Sequence, residues 1–171
     1  MKRFVFVVIF IYMFLCFNQG FADNNIDICS CKSSDVDKDT ILRCLVGHMR
    51  MYPEDIEGAK QAVICAIEQW KRRDGAIGFA ISNAFLAMMN ENPTIFFDIM
   101  ATNGAVFSEW LDKLEPLSFT WHKEPPSPLE KKRKEFVRFL SDLGPLKNKD
   151  QDALRQKLLS TLKNIKPRQI D

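Results

Sequence analysis

The sequence predicts an all-α fold: an irregular bundle of about seven helices, arranged largely as antiparallel helical hairpins and braced by disulfides near its N-terminus. Three observations predict it. Apolar residues beyond the N-terminal segment recur at intervals of three and four, which is the helical period. Proline, glycine or capping residues bound these stretches. Four cysteines follow an apolar leader that is typical of exported proteins, in which cysteines pair.

The first 22 residues predict a cleavable signal peptide. Lys2 and Arg3 precede 14 apolar residues from Phe4 to Phe17, fewer than the roughly 20 that a membrane-spanning helix needs. Small residues at both ends of Gly20–Ala22 suit a signal peptidase, so we expect cleavage after residue 22. The alternatives are an uncleaved anchor, which the short run disfavours, and a lipoprotein acylated on Cys16, which the bulky preceding residue disfavours.

Cleavage leaves residues 23–171 as a single helical domain, with a cysteine-containing strap over residues 23–38 and basic helices over residues 129–166. The mature chain has 22 basic and 22 acidic residues, but Leu129–Asp171 has 12 basic against 6 acidic ones. We interpret this asymmetry as complementary faces of one fold plus a solvated helix surface, which includes Lys131–Lys134. The alternative is an anionic lipid surface as partner; an exported chain is not expected to bind nucleic acid.

The domain keeps four cysteines, and their spacing limits how they pair. Cys29 and Cys31 are too close in an extended strap to bond each other without strain. Cys44 and Cys65 lie on the first two predicted helices, with an offset of roughly 6 Å along the axes. A direct bond between them would exceed the usual Cα separation of about 7 Å unless the two helices are staggered or splayed. We therefore predict that the strap bonds both helices, one cysteine to each.

The first three helices follow from local signals. Asp39 caps the first helix, and Pro53 opens the second, which Gly75 terminates. The third helix, from about Ala76 to Met89, is apolar around most of its circumference. Such a helix is expected at the centre of the bundle, with other helices on several sides.

Four further helices follow. The fourth begins at Asn92-Pro93, and a short fifth covers residues 106–114 before Pro116 stops the pattern. The capping box Ser127–Glu130 opens the sixth helix, and the seventh covers residues 150–166. No fixed repeat period is present, so a compact irregular bundle is favoured over a helical-repeat solenoid.

The connection over residues 117–128 is the candidate binding site, because long loops in compact domains are commonly functional. Its candidate binding residues are Phe119, Trp121 and His122. An alternative interpretation is that Phe119 and Trp121, which alternate, plug the loop into the bundle and leave Thr120 and His122 outside.

The sequence predicts no catalytic residue, cofactor or metal ligand. Its only histidines are His48 and His122, and it lacks a nucleophile elbow and a phosphate-binding glycine loop. Glu54, Asp55 and Glu57 are interpreted as complementing the dipole at a helix start. Whether the protein is an enzyme stays open, with a non-enzymatic role favoured.

The favoured function is an exported domain, periplasmic or extracellular, that binds another protein, as an inhibitor or immunity-type factor would. One alternative is a copper or zinc carrier, or a small periplasmic enzyme. The carrier would use the soft ligands of Cys29, Cys31, His48, Met49 and Met51. The other alternative is a domain that binds anionic lipid through its basic helices, with no other membrane contact once the signal peptide is removed.

Overall fold

A computed structural model describes residues 38–73, 75–121 and 126–169. This part of the chain is all-helical apart from one two-residue strand pair, which confirms the predicted fold class. Its elements are α1 (Lys38–Met51), α2 (Ile56–Lys71), α3 (Gly75–Glu91), α4 (Pro93–Ala101), α5 (Gly104–Ser118), β1 (Thr120–Trp121), α6 (Pro126–Asp142), α7 (Lys149–Asn164) and β2 (Arg168–Gln169). The predicted signal peptide and strap residues 23–37 lie outside these ranges.

Helix α3 is the centre of the bundle, as its sequence predicts. It packs against α1, α2, α4 and α5. Its Ile81, Phe85 and Met88 side chains are fully buried. A helix that meets neighbours on several sides has little solvated surface, which explains why α3 is apolar around most of its circumference. Helix α7 packs against α4 and α6, while the hairpin arrangement of the helices stays a prediction.

Aromatic side chains fill the core between α2, α3, α4 and α5. The Phe85 ring centroid lies 5.8 Å from that of Trp70, 6.2 Å from Phe96 and 5.4 Å from Trp110. All four rings are fully buried, and they meet in tilted or edge-on orientations. Such ring pairs contribute about 0.5–1.5 kcal/mol each beyond the burial of their area. Phe85 therefore joins three other helices to α3.

The start of α2 lies three residues beyond the predicted Pro53. Asp55 is the N-cap: its Oδ1 accepts a hydrogen bond from the Gly58 N–H at 2.8 Å. His48 Nε2 donates to Asp55 Oδ2 at 2.9 Å, so the same carboxylate also contacts α1. A side chain at Gly58 would collide with both His48 and Asp55. Asp55 thus caps α2 and also contacts α1, whereas the sequence indicated only a favourable charge at the start of the helix.

Two helix boundaries around prolines were also predicted wrongly. Helix α5 continues through Pro116 to Ser118, so this proline lies within the last turn and does not end the helix. Helix α6 begins at Pro126, so Ser127 lies in its first turn and is not its cap. Prolines are tolerated in a first turn because N–H groups there have no acceptor within the helix.

Gly75 begins α3, although the sequence predicted it as the end of α2. The backbone N–H of Arg72 closes α2 instead, by donating to the carbonyls of Gln69 and Trp70. Glycine is common just after a helix, and a glycine between two closely spaced helices can belong to either. The predicted start of α4 is confirmed: the Asn92 side chain accepts a hydrogen bond from the Ile95 N–H at 3.1 Å.

A buried arginine holds the connection between α6 and α7. The Arg155 side chain is on α7 and is only 4% exposed. Its Nη1 donates to the Leu140 carbonyl at 2.8 Å, and its Nε donates to Asp152 Oδ1 at 2.7 Å. The same Asp152 oxygen accepts the Leu146 N–H at 3.0 Å. The guanidinium therefore bridges α6, the connection and α7, a role that apolar periodicity cannot predict.

Candidate binding site

The first residues of the predicted binding loop are buried. Phe119, directly after α5, is fully buried, which the plug interpretation expected. Thr120 is 8% exposed and its Oγ1 donates to the Glu115 carbonyl at 3.2 Å, so it is not outside the bundle as that interpretation expected. Its hydroxyl is a second donor to this carbonyl, which also accepts the backbone N–H of Phe119 at 2.9 Å. His122 and the side chain of Trp121 lie outside the described part of the chain.

The backbone of the loop is fixed to a distant segment. Thr120 pairs with Arg168, and Trp121 with Gln169, in a parallel two-stranded arrangement. This pairing places the start of the loop beside the segment that follows α7. A two-residue strand has no detectable periodicity, so this contact could not be predicted from the sequence.

A groove of about 490 Å³ lies along the same segment, between the first turns of α6 and the end of α7. It is lined by Glu130, Arg133, Lys163, Asn164, Ile165, Lys166 and Pro167. We call these residues the basic groove. Pro167 directly precedes β2, so the groove and the paired part of the loop are continuous along the chain.

Arg133 and Glu130 form a bidentate ion pair within the basic groove. Arg133 Nε donates to Glu130 Oε2 at 2.8 Å and Nη2 donates to Oε1 at 2.7 Å. Arg133 Nη1 also donates to the Leu162 carbonyl at 3.0 Å, which satisfies a carbonyl at the C-terminal end of α7. The hydrogen bond from Arg133 and the nearby charge of Lys134 hold the pKa of Glu130 at about 2. This carboxylate is therefore ionised throughout the neutral range and cancels the charge of Arg133.

Two lysines of the basic groove remain without a compensating charge in the described structure. Lys163 and Lys166 are exposed. No carboxylate of residues 38–73, 75–121 or 126–169 forms an ion pair with either. Their two positive charges therefore dominate the groove.

The sequence indicated a solvated surface for the Lys131–Lys134 run, but the structure shows that the run is not solvated throughout. Lys132 is partly buried: its Nζ donates to Asn83 Oδ1 at 2.6 Å and to the Ser118 carbonyl at 3.3 Å. Its ammonium lies 5.3 Å from the centre of the Phe119 ring. Burial lowers the pKa of Lys132 to about 8. Lys132 thus ties α6 to α3 and to the start of the loop, and only Lys131 and Lys134 are exposed.

A buried polar chain lies behind this lysine. The hydroxyls of Ser82 and Ser118 are hydrogen-bonded to each other at 2.7 Å, and Trp110 Nε1 donates to Ser82 Oγ at 3.0 Å. Lys132 contacts the carbonyl of Ser118 and not its hydroxyl. These hydrogen bonds therefore join α3 to α5.

The described members of the predicted soft-ligand set lie in different environments. His48 is bonded to Asp55, Met49 is buried in the core, and Met51 is 64% exposed. In the described ranges no group of three or more His, Cys, Asp or Glu residues could hold a metal ion. Cys29 and Cys31 lie outside those ranges.

Cys44 is a free cysteine in this structure, so the predicted disulfide at Cys44 is not seen. It is half-buried on α1, whereas Cys65 is buried on α2. The geometric expectation that these two cysteines do not bond each other agrees with the free Cys44 thiol.

Helix length and comparison with other proteins add two findings. None of the described helices is both long and apolar enough to cross a membrane. No protein-family model, curated protein or solved structure matches this chain, and its function is therefore inferred from its own residues.

Proposed function

We propose that this protein is an exported, non-enzymatic domain that binds another protein, as an inhibitor or immunity-type factor does, in the periplasm or outside the cell. Its binding surface is the loop from Thr120 to Pro125 together with the basic groove. One observation carries the proposal: the pairing of Thr120–Trp121 with Arg168–Gln169 joins the aromatic loop to the basic C-terminal segment. Export rests on the leader of residues 1–22.

The construction of this surface supports a binding role. Phe119 and Thr120 are buried where the loop leaves the bundle, and functional loops are commonly mounted on a packed scaffold. The loop sequence adds Trp121 and His122, and tryptophan is enriched among the residues that dominate binding energy at protein interfaces. The groove adds positive charge, which steers a partner of opposite charge during encounter.

A capture experiment with the mature protein, residues 23–171, tests the proposal. We expect the wild type to capture a specific protein from periplasmic or culture extracts, and Trp121→Ala to weaken binding of the purified partner by at least tenfold. Lys71→Ala is the control, since Lys71 lies on α2 and is paired with Glu68. Unchanged affinity of a Trp121→Ala variant that melts like the wild type would show that the loop is not the binding site.

We propose further that a disulfide from Cys65 to Cys29 or Cys31 holds the strap against α2. Cys65 is the buried cysteine of the described pair, whereas Cys44 keeps its thiol. In the chain-entropy model, closing a loop of this length contributes on the order of 3–4 kcal/mol. Alkylation of the unreduced, denatured mature protein should modify two of its four cysteines, one of them Cys44. Modification of all four would exclude the disulfide.

A further inference from the structure

We infer that the basic groove recognises an acidic peptide segment of the protein partner, which presents carboxylates to Lys163 and Lys166. This inference rests on the proposed function and names the chemistry of the partner. It follows from the charge of the groove, from the way its arginine is already used, and from its shape.

The charge of the groove is positive. Glu130 is the one acidic residue among the described residues of the lining, and its carboxylate is neutralised by the two hydrogen bonds from Arg133. Lys163 and Lys166 then contribute a net charge of +2 at the mouth of a recess, where field lines are concentrated by the low-dielectric walls. An anionic partner is therefore attracted to this site.

The occupied arginine favours carboxylates over a single phosphate. Phosphate groups are bound best by the guanidinium fork of arginine or by a helix N-terminus. Here Arg133 already donates Nε and Nη2 to Glu130 and Nη1 to the Leu162 carbonyl. What remains is two separate ammonium groups, which suit acidic side chains spaced along a peptide.

The shape of the groove favours a peptide over a membrane surface. A volume of about 490 Å³ lies within the range of roughly 300–1,000 Å³ found for recessed ligand sites. Ile165 and Pro167 supply apolar lining beside the lysines, and this suits the aliphatic stems of glutamate side chains. A lipid surface would instead be met by an amphipathic helix that buries apolar side chains among the headgroups.

A direct binding measurement tests the inference without the partner. The probe is a fluorescein-labelled hexaglutamate peptide, with hexaglutamine as the uncharged control, titrated with the mature protein at low and at physiological salt. We expect binding of hexaglutamate alone, with lower affinity at higher salt. Lys163→Glu/Lys166→Glu should weaken binding at least tenfold. The matched control, Lys147→Glu/Lys149→Glu, changes the total charge equally at the exposed start of α7 and should change affinity less than threefold.

Three outcomes would overturn the inference: no hexaglutamate binding, equal weakening by both double variants, or displacement of the peptide by millimolar inorganic phosphate. Binding to phosphatidylserine vesicles without binding to hexaglutamate would also overturn it, in favour of a lipid surface. The purified partner separates this inference from the proposed function. If Lys163→Glu/Lys166→Glu retains full affinity for the partner while Trp121→Ala loses it, the groove is not the acidic-peptide site although the protein still binds its partner.

Discussion

Replacement of Phe85 by alanine is expected to destabilise the protein by about 3–5 kcal/mol. Phe85 is fully buried, and its ring meets Trp70, Phe96 and Trp110 at centroid distances between 5.4 and 6.2 Å. Removing the ring deletes its transfer free energy, leaves a cavity at the centre of the bundle and abolishes three aromatic contacts. The loss is large because α3 is packed on several sides and its neighbours cannot all move into the space.

Urea unfolding at pH 7 measures this effect. The control is Met51→Ala, which removes a large apolar side chain that is 64% exposed and should change stability by no more than about 0.5 kcal/mol. A loss below 1 kcal/mol for Phe85→Ala would be inconsistent with a close-packed aromatic core.

Stability is also expected to rise with pH because of Lys132. Folding lowers the pKa of this lysine from 10.5 to about 8. Between these values the unfolded chain binds more protons than the folded one, so the free energy of unfolding increases as the pH rises. Below pH 8 the charged amine is protonated in both states and folding bears the full cost of its burial; above pH 10.5 that cost has vanished. The shift corresponds to about 3 kcal/mol.

The measurement compares the wild type with Lys132→Met, which cannot titrate at this position. The free energy of unfolding of the wild type should gain about 3 kcal/mol relative to Lys132→Met between pH 7.5 and pH 10.5. Lys134→Met, at an exposed lysine two residues away, should show no such relative gain. Parallel pH profiles for the wild type and Lys132→Met would show that Lys132 is not buried as a charge.

The predictable parts of the fold are those encoded by neighbouring residues. The Asn92-Pro93 start of α4 depends on one side chain and a backbone N–H three residues away, and it was predicted correctly. The central position of α3 follows from its own composition. The start of α2 was predicted wrongly because the N-cap position of Asp55 depends on two hydrogen-bond partners. These are Gly58 in its own helix and His48 on α1. A local rule that places proline in the first turn takes no account of the hydrogen bond to His48 on another helix.

In the candidate site, too, the features encoded by neighbouring residues were predicted and those that depend on distant residues were not. The sequence indicated the connection over residues 117–128 and the basic helices over residues 129–166 as two separate features. Neither observation indicated that the two are adjacent in the structure. Their adjacency results from the pairing of Thr120 with Arg168, and these two residues are separated by 47 others in the sequence. The burial of Lys132 likewise depends on Asn83, 49 residues away. A lysine within a basic run gives no local sign of such a distant acceptor, which is why the run was taken to be solvated throughout.

The pairing of β1 with β2 also has a thermodynamic consequence for binding. It joins the exit of α5 to the segment beyond α7 and so encloses α6 and α7 in one closed length of chain. In the proposed function, the two halves of the binding surface share this strand pair, so a partner that binds the groove and the loop together closes on one continuous piece of backbone. Linkage then requires that a contact at either half strengthens binding at the other by the same factor.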